Sequence, residues 1–542
     1  MNNLLNLFSE FFSSQMSIVS MKFICFVAVT AIIYYICPKK HRWLVLTAAN
    51  TVFYVCGGIE SVIYVLFATL AAYLTARKLD SDFSAQKKEC EGLEREEKKA
   101  VRALHLKKRK RYLTLTIIIL LFSLAIIKYT GFFLSNVNAL LGITGLGSFS
   151  TENITRHIPA ILGCSYFTLS LIAYITDVYR QKYHAENNYL RLYLFISYFP
   201  HVIQGPIERY DYLEPLLKEG QSFSFENLKQ GAMLILWGFF KKFVIADRLN
   251  IVTNEIFSNY ENFSGPFIFF GAAVFSIQLY ADWTAYCDIV GGASRIFGVE
   301  ITKNFSRPYF SQTMPEFWRR WHISMGTFFK DYVLYPVSTS QFCLKLNKNA
   351  RNKFGTNAGK NIASALPILS VWLLTGLWHG AGWTFILWGL YQGILIMLSV
   401  IFENPIESMC KKLNFKTDTF SWRVFRTLRT FFLCCVGRLF FKAQSVSDVA
   451  GMLRRFTSLS VTMKQYYSLG LLKKEWIVIA VALVIMLIYS LIEEKYENVE
   501  KRLDSQPAII KWSILIFMVM FVVIFGIYGS NEQYVSFVYE QF

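Results

Sequence analysis

The sequence predicts an all-α polytopic membrane protein, a bundle of about 11–14 membrane segments, some of them re-entrant, on two observations. The first is composition: of 542 residues, 54% are hydrophobic and 17% aromatic, and the mean hydropathy is +0.35. Only 17% are charged, against roughly 25% in soluble domains. The second is the recurrence along the whole chain of apolar windows near the length, about 20 residues, that crosses a bilayer. Together they make residues 1–542 a single membrane domain.

Taken in order, the long windows lie near residues 16–37, 58–76, 112–134, 265–281, 383–402, 475–492 and 510–528. The first, Met16–Cys37, reads as a retained helix, because the segment before it carries Glu10 and no positive charge before Lys22, unlike a removed signal peptide. Shorter or interrupted candidates lie near 43–56, 159–176, 190–204, 231–246, 361–378 and 431–441. Such pieces suit re-entrant segments, since irregular backbone is tolerated at membrane depth where protein buries it. Residues 403–542 then form a set of C-terminal spans beyond a central block at 271–393.

A net charge of +19 would permit nucleic-acid binding, but the cations are concentrated between spans, where they orient the chain by the positive-inside rule. The largest basic stretch, Arg77 to Arg111, ends in KKRKR and suits an amphipathic helix in a cytoplasmic loop. Lys345–Lys360 and Lys411–Arg429 belong on the same cytoplasmic side. Nucleic acid is therefore not an expected partner; the lipid bilayer is. The ten cysteines contain no C-x-x-C pair and fall mostly in apolar segments, so they read as small core hydrophobes, with no zinc or disulfide framework. Neither a phosphate-binding loop of the G-x-x-x-x-G-K-[ST] type nor a G-x-S-x-G elbow occurs, which argues against an ATP-driven pump and a soluble-type hydrolase.

The central block carries the chemistry. His379 lies in TGLWHGAGWTFILWGLYQG (375–393), an imidazole in an apolar run, and an ionisable group at membrane depth marks a functional site by default. His322 lies upstream in NFSRPYFSQTMPEFWRRWHISMGTFFKDYVLYP (304–336). A neutral imidazole can take the proton of an attacking hydroxyl and return it to a leaving group, typically worth about 10²–10⁴-fold. Within FWRRWHIS, Trp318 and Trp321 interleave with Arg319 and Arg320, as in an interfacial or re-entrant helix. Arg319, Arg320 and Lys330 are candidates for the phosphates of an anionic substrate. Asp282 and Asp288 sit among aromatics in QLYADWTAYCDIVGG (278–292). Gly376, Gly380, Gly382, Gly389 and Gly393 permit close helix packing or close approach to a substrate. No serine or cysteine nucleophile accompanies the histidines, which favours direct transfer from donor to acceptor.

These segments, with SYFTLSLIAYITDVYR (165–180), YFPHVIQGPIERY (198–210), RLFFKAQS (438–445) and the closing YGSNEQYVSFVYEQF, resemble the membrane-bound O-acyltransferase family, in particular its alginate O-acetylase-like bacterial branch. The resemblance implies tilted helices around a transmembrane tunnel, with His379 at the family's catalytic histidine and His322 at its second functional position. It implies a multi-pass protein of a bacterial plasma membrane with no permanently bound cofactor. By the same resemblance the donor is cytoplasmic acetyl-CoA, its phosphates near Arg319, Arg320 and Lys330. The acceptor is a polysaccharide hydroxyl outside the membrane, reached with a secreted or membrane-tethered acetyltransferase partner. The string ADWTAY departs from the branch's usual F-D-F-S-G-Y-like text, which leaves the acceptor open. Two other readings remain: D-alanyl transfer to teichoic acid from a carrier protein, and a non-enzymatic polysaccharide or lipid translocator.

Overall fold

The computed structural model describes residues 16–496, 499–528 and 536–538, and among them the regular secondary structure is helical, with one isolated β-bridge. Glu10 lies outside the described residues, as does most of the closing YGSNEQYVSFVYEQF run. Among the described residues, seven helices are long and apolar enough to cross a membrane. The remaining candidate windows are shorter helices or fall inside mixed ones; 190–204, for example, yields only Tyr189–Ser197. The chain is a multi-pass membrane protein.

The chain divides into two compact units, residues 1–232 with 290–302, and residues 233–289 with 303–542. In the first unit, α1 (Met21–Ile36) and α2 (Arg42–Cys56) precede two long helices, α3 (Ile59–Glu89) and α4 (Arg95–Thr144). α5 (Cys164–Tyr179) packs on both α3 and α4. The basic stretch 77–111, expected as one amphipathic helix in a loop, is instead the paired ends of α3 and α4 joined by a tight turn. Two features explain the difference. A capping box from Glu94 and Glu97 starts α4 early. Asp82 on α3, almost fully buried, then ties the arms together through His105 at 3.0 Å, Lys108 at 3.0 Å and Arg109 at 3.2 Å on α4.

In the second unit, helix α6 (Gly265–Ile296, of which residues 265–289 belong here) contributes a heavily buried span. Two short helices follow, α7 (Met314–Arg320) and α8 (Ile323–Phe329), then α9 (Ala365–His379), α10 (Trp383–Lys412) and α11 (Phe420–Lys442). α9 and α10 form an antiparallel pair whose crossing is set by glycine. A Cβ on Gly389 would lie 2.3 Å from the Trp372 carbonyl oxygen, and one on Gly376 would lie 2.4 Å from that of Phe385. Only residues without side chains permit this approach, and it fixes the C-terminal end of α9, where His379 stands. Gly376 and Gly389 thus serve helix packing.

Asp282 and Asp288 go to lysines. Lys242, on a π-helical turn (Phe240–Ala246), reaches Asp282 and Asp247 at 2.9 Å each, all three buried. Asp282 also accepts the backbone N–H of Val538 at 2.7 Å. Asp288 pairs with Lys241 at 2.7 Å.

Candidate active site

His322 does not lie within a continuous helix. The run FWRRWHIS begins as α7, with Thr313 capping its N-terminus, and breaks at Trp321–His322 before α8 resumes. The break comes from pairing with the strand-like stretch 304–306. Ser306 N–H donates to the Arg320 carbonyl at 2.9 Å, Ile323 N–H to the Asn304 carbonyl at 2.9 Å, and Phe305 and Trp321 form the bridge. His322 is thereby held at φ 48°, ψ 56°, the left-handed region. For a residue with a Cβ this conformation costs about 1–3 kcal/mol and persists where surrounding contacts over-determine it, commonly at functional sites.

The same stretch fixes the imidazole's tautomer. Asn304 Oδ1 accepts the Ser324 backbone N–H at 3.1 Å and the Ser324 hydroxyl at 2.9 Å. A backbone N–H can only donate, so this atom is the amide oxygen. His322 Nδ1, 3.1 Å from it, therefore carries a proton and donates. In the neutral ring Nε2 is then the accepting nitrogen. His322 is fully buried, and burial holds its pKa well below the ordinary histidine range, which keeps it neutral at physiological pH.

Both histidines share one aromatic enclosure. The Trp378 indole lies 6.0 Å from the His322 ring and 5.0 Å from that of His379, centroid to centroid. Trp283 meets His322 edge-on at 4.5 Å, and Trp388 meets His379 edge-on at 4.8 Å. Phe441 of α11 closes on His379 at 5.6 Å. Three side chains from α7, α9 and α10 (Trp318, Trp372 and Trp388) lock together beside this enclosure. Trp318 Nε1–H donates to the buried Gln392 Oε1 at 3.2 Å. Low-polarity walls of this kind strengthen any polar interaction made inside them.

A cavity of about 440 Å³ adjoins the enclosure, within the usual 300–1,000 Å³ of small-molecule sites. Trp318, Trp321, Trp372 and Thr375 contribute to its wall, and Thr375 precedes His379 by one helical turn. Arg319 and Lys330 line it as exposed cations. Arg320 does not line it; it pairs with Glu316 one turn earlier on α7 at 2.8 Å. The sequence-predicted residues thus divide: His322 and His379 share the Trp378 ring, Arg319 and Lys330 line the cavity, which neither histidine lines, and Arg320 is turned to an intrahelical carboxylate. Asn304, Gln392, Trp283, Trp372, Trp378 and Trp388 carried no sequence signal that singles them out, because their roles arise from contacts across long separations. Arg438 is a different case: a guanidinium in the apolar run FFLCCVGRLFF is itself the signal.

The model of the membrane-bound O-acyltransferase family matches residues 113–443, which include the broken helix, both histidines, the cavity and Arg438. The chain is 29% identical over 419 residues to a probable alginate O-acetylase of Pseudomonas syringae pv. tomato, covering 77% of this chain and 70% of that protein. It is 28% identical over 363 residues to a peptidoglycan O-acetyltransferase of Helicobacter pylori, covering 62% and 63%. With a teichoic acid D-alanyltransferase of Bacillus subtilis it shares 27% identity over 303 residues, covering 53% and 70%. The match spans more than half of the sequence, so the chain belongs to the membrane-bound O-acyltransferase family and is an O-acyltransferase.

Proposed function

We propose that the protein transfers an acetyl group from cytoplasmic acetyl-CoA to hydroxyls of an extracellular or cell-wall polysaccharide, from the plasma membrane of a bacterium and with a secreted or membrane-tethered partner. The observation that carries this reading is the cavity walled by Trp321, next to His322, and by Thr375, one turn before His379, with its apolar walls and the exposed cations Arg319 and Lys330. Its polarity suits a donor with a phosphate-bearing end and a thin thioester arm: phosphates need compensating charge, and the arm tolerates a dry passage. His379 takes the proton of the acceptor hydroxyl as its oxygen attacks the thioester carbonyl carbon. The C–S bond then breaks, and the proton passes from the imidazole to the departing sulfur. His322, its Nδ1–H committed to Asn304, presents Nε2 and orients the reacting groups. Because no nucleophilic side chain is called on, transfer is direct.

Initial rates against acetyl-CoA concentration test the reading. Folded His379→Ala should lose about 10²–10⁴-fold in kcat. Arg319→Ala and Lys330→Ala should each raise the donor KM, with kcat nearly kept, because remote phosphate contacts are uniform binding. Charge-assisted hydrogen bonds worth about 1.5–3 kcal/mol set the expected loss in kcat/KM at roughly 10–100-fold. Arg320→Ala should leave the KM unchanged, since its charge is directed to Glu316. Near-normal turnover by His379→Ala would refute the assignment of the base. D-alanyl transfer from a carrier protein is the second reading, favoured by the likeness to the B. subtilis protein. It predicts turnover of carrier-linked alanine and none of acetyl-CoA.

A further inference from the structure

Arg438 is 3% exposed, on the face of α11 that also carries Phe441 against His379. Its guanidinium lies over the Trp321 ring at 4.8 Å, next in sequence to His322. The Tyr309 hydroxyl lies within hydrogen-bonding reach of the guanidinium, and that hydroxyl gives its own proton to the Ser276 carbonyl. Nε and Nη2 are buried and make no hydrogen bond, and among the described residues no carboxylate pairs with the charge. Other buried cations in the second unit are answered: Lys242 by two aspartates, and Arg248 by the carbonyls of Val244 and Phe525. A buried cation without an anion is among the costliest arrangements a fold can hold. Such strain is found where function requires it.

The two unmet donors have a geometry of their own. Nε–H and one N–H of Nη2 point in parallel from the same edge of the guanidinium, the fork that takes a single anionic acceptor side-on. α11 is held near α10 at this point, because a Cβ on the neighbouring Gly437 would fall 2.6 Å from Gln392 Nε2. The edge is thus a buried pair of donors against the aromatic face of Trp321, and in such low-polarity surroundings hydrogen bonds to a developing negative charge are worth most.

We propose that Arg438 is a catalytic residue that stabilises the oxyanion of the acyl-transfer step. The inference rests on the reading of His379 and the thioester given above. As the acceptor oxygen bonds to the carbonyl carbon, the C=O electron pair moves onto the carbonyl oxygen, and Nε–H and Nη2–H donate to that oxygen. Collapse returns the pair to C=O and expels the sulfur, which takes the proton from the imidazole. The guanidinium gains and loses no proton, so it is unchanged at the end of the cycle.

The decisive variant is Arg438→Met, which keeps much of the volume and removes the unanswered charge. A group held for catalysis rather than for the fold predicts that Arg438→Met unfolds at the same or a higher temperature than the parent protein in detergent. Its kcat should nevertheless fall by about 10²–10³-fold, the loss seen when one oxyanion donor is removed, with the donor KM little changed. Arg438→Lys, which keeps charge but not the fork, should recover only a small part of the rate. A lower unfolding temperature with activity following the folded fraction would make Arg438 a structural anchor for Trp321 and overturn the proposal. So would a raised KM at constant kcat, which would mean binding of a ground-state anion. Failure of the acetyl-CoA reading is distinguishable, since the parent protein would then turn over no acetyl-CoA. The same variants would be compared with a carrier-linked thioester, whose transfer forms the same oxyanion.

Discussion

His322 combines a chemical role with a backbone role, and the two can be separated. Its φ of 48° is tolerated best by Gly and Asn and worst by β-branched side chains. His322→Asn should therefore fold and melt close to the parent while losing acyl transfer. His322→Val should lose both, with a drop in stability of about 1–3 kcal/mol from the strained backbone alone. Thermal unfolding in detergent, measured beside single-turnover transfer, distinguishes the two effects. Equal stability of the Asn and Val variants would show that the left-handed conformation is not enforced by the pairing with residues 304–306. The chemical half of this residue was readable from sequence, because a histidine among aromatics in a membrane chain stands out. Its conformation was not, since neither Gly nor Pro marks the break at Trp321–His322, and the cause lies in hydrogen bonds to Asn304 and Ser306.

At the level of helices, the position of His379 depends on the contact between α9 and α10. Gly389→Ala places a methyl 2.3 Å from the Trp372 carbonyl oxygen, a backbone atom that cannot rotate away. The helices must separate, at a cost of about 1–3 kcal/mol for overpacking. Because the same separation displaces His379 on α9 from Trp388 on α10, kcat should fall as well. Gly142→Ala on α4 is the control: nothing lies within 4 Å of its added methyl, and alanine is the better helix former by about 1 kcal/mol. A Gly389→Ala protein that melts with the parent would show that the crossing has room to adjust. Six of the seven long windows were recoverable from apolar length, since that length is what the bilayer demands, whereas window 16–37 yields only the shorter helix Met21–Ile36 and Thr356–His379 crosses where the sequence showed an interrupted candidate. The hairpin of α3 and α4 was misread as a loop with a surface helix, because its charges answer one another through Asp82 across 23 to 27 residues. Composition reports such charges as solvated and cannot pair them. Arg438 was missed for the converse reason: its sequence gives a charge in an apolar run, and only packing reveals that, among the described residues, no carboxylate answers it.

For the molecule as a whole, stability rests in part on a polar cluster that joins distant parts of the second unit. Lys242, Asp247 and Asp282 are buried together, and Val538, near the end of the chain, donates its backbone N–H to Asp282. The cluster holds one positive and two negative formal charges, so the two ways of breaking it differ in sign. Lys242→Met leaves two carboxylates close together in a dry site with no cation, and removing one partner of a buried ionic group costs about 3–5 kcal/mol. Asp282→Asn instead leaves a one-to-one pair between Lys242 and Asp247, and the amide oxygen still accepts from Lys242 or Val538. Its cost should be smaller, about 1–3 kcal/mol, the range for a weakened buried hydrogen bond. Unfolding temperatures and the yield of monodisperse protein in detergent test the order, parent above Asp282→Asn above Lys242→Met. If Lys242→Met were as stable as Asp282→Asn, the lysine would not be neutralising the pair, and the attachment of Val538 would rest on hydrogen bonding alone.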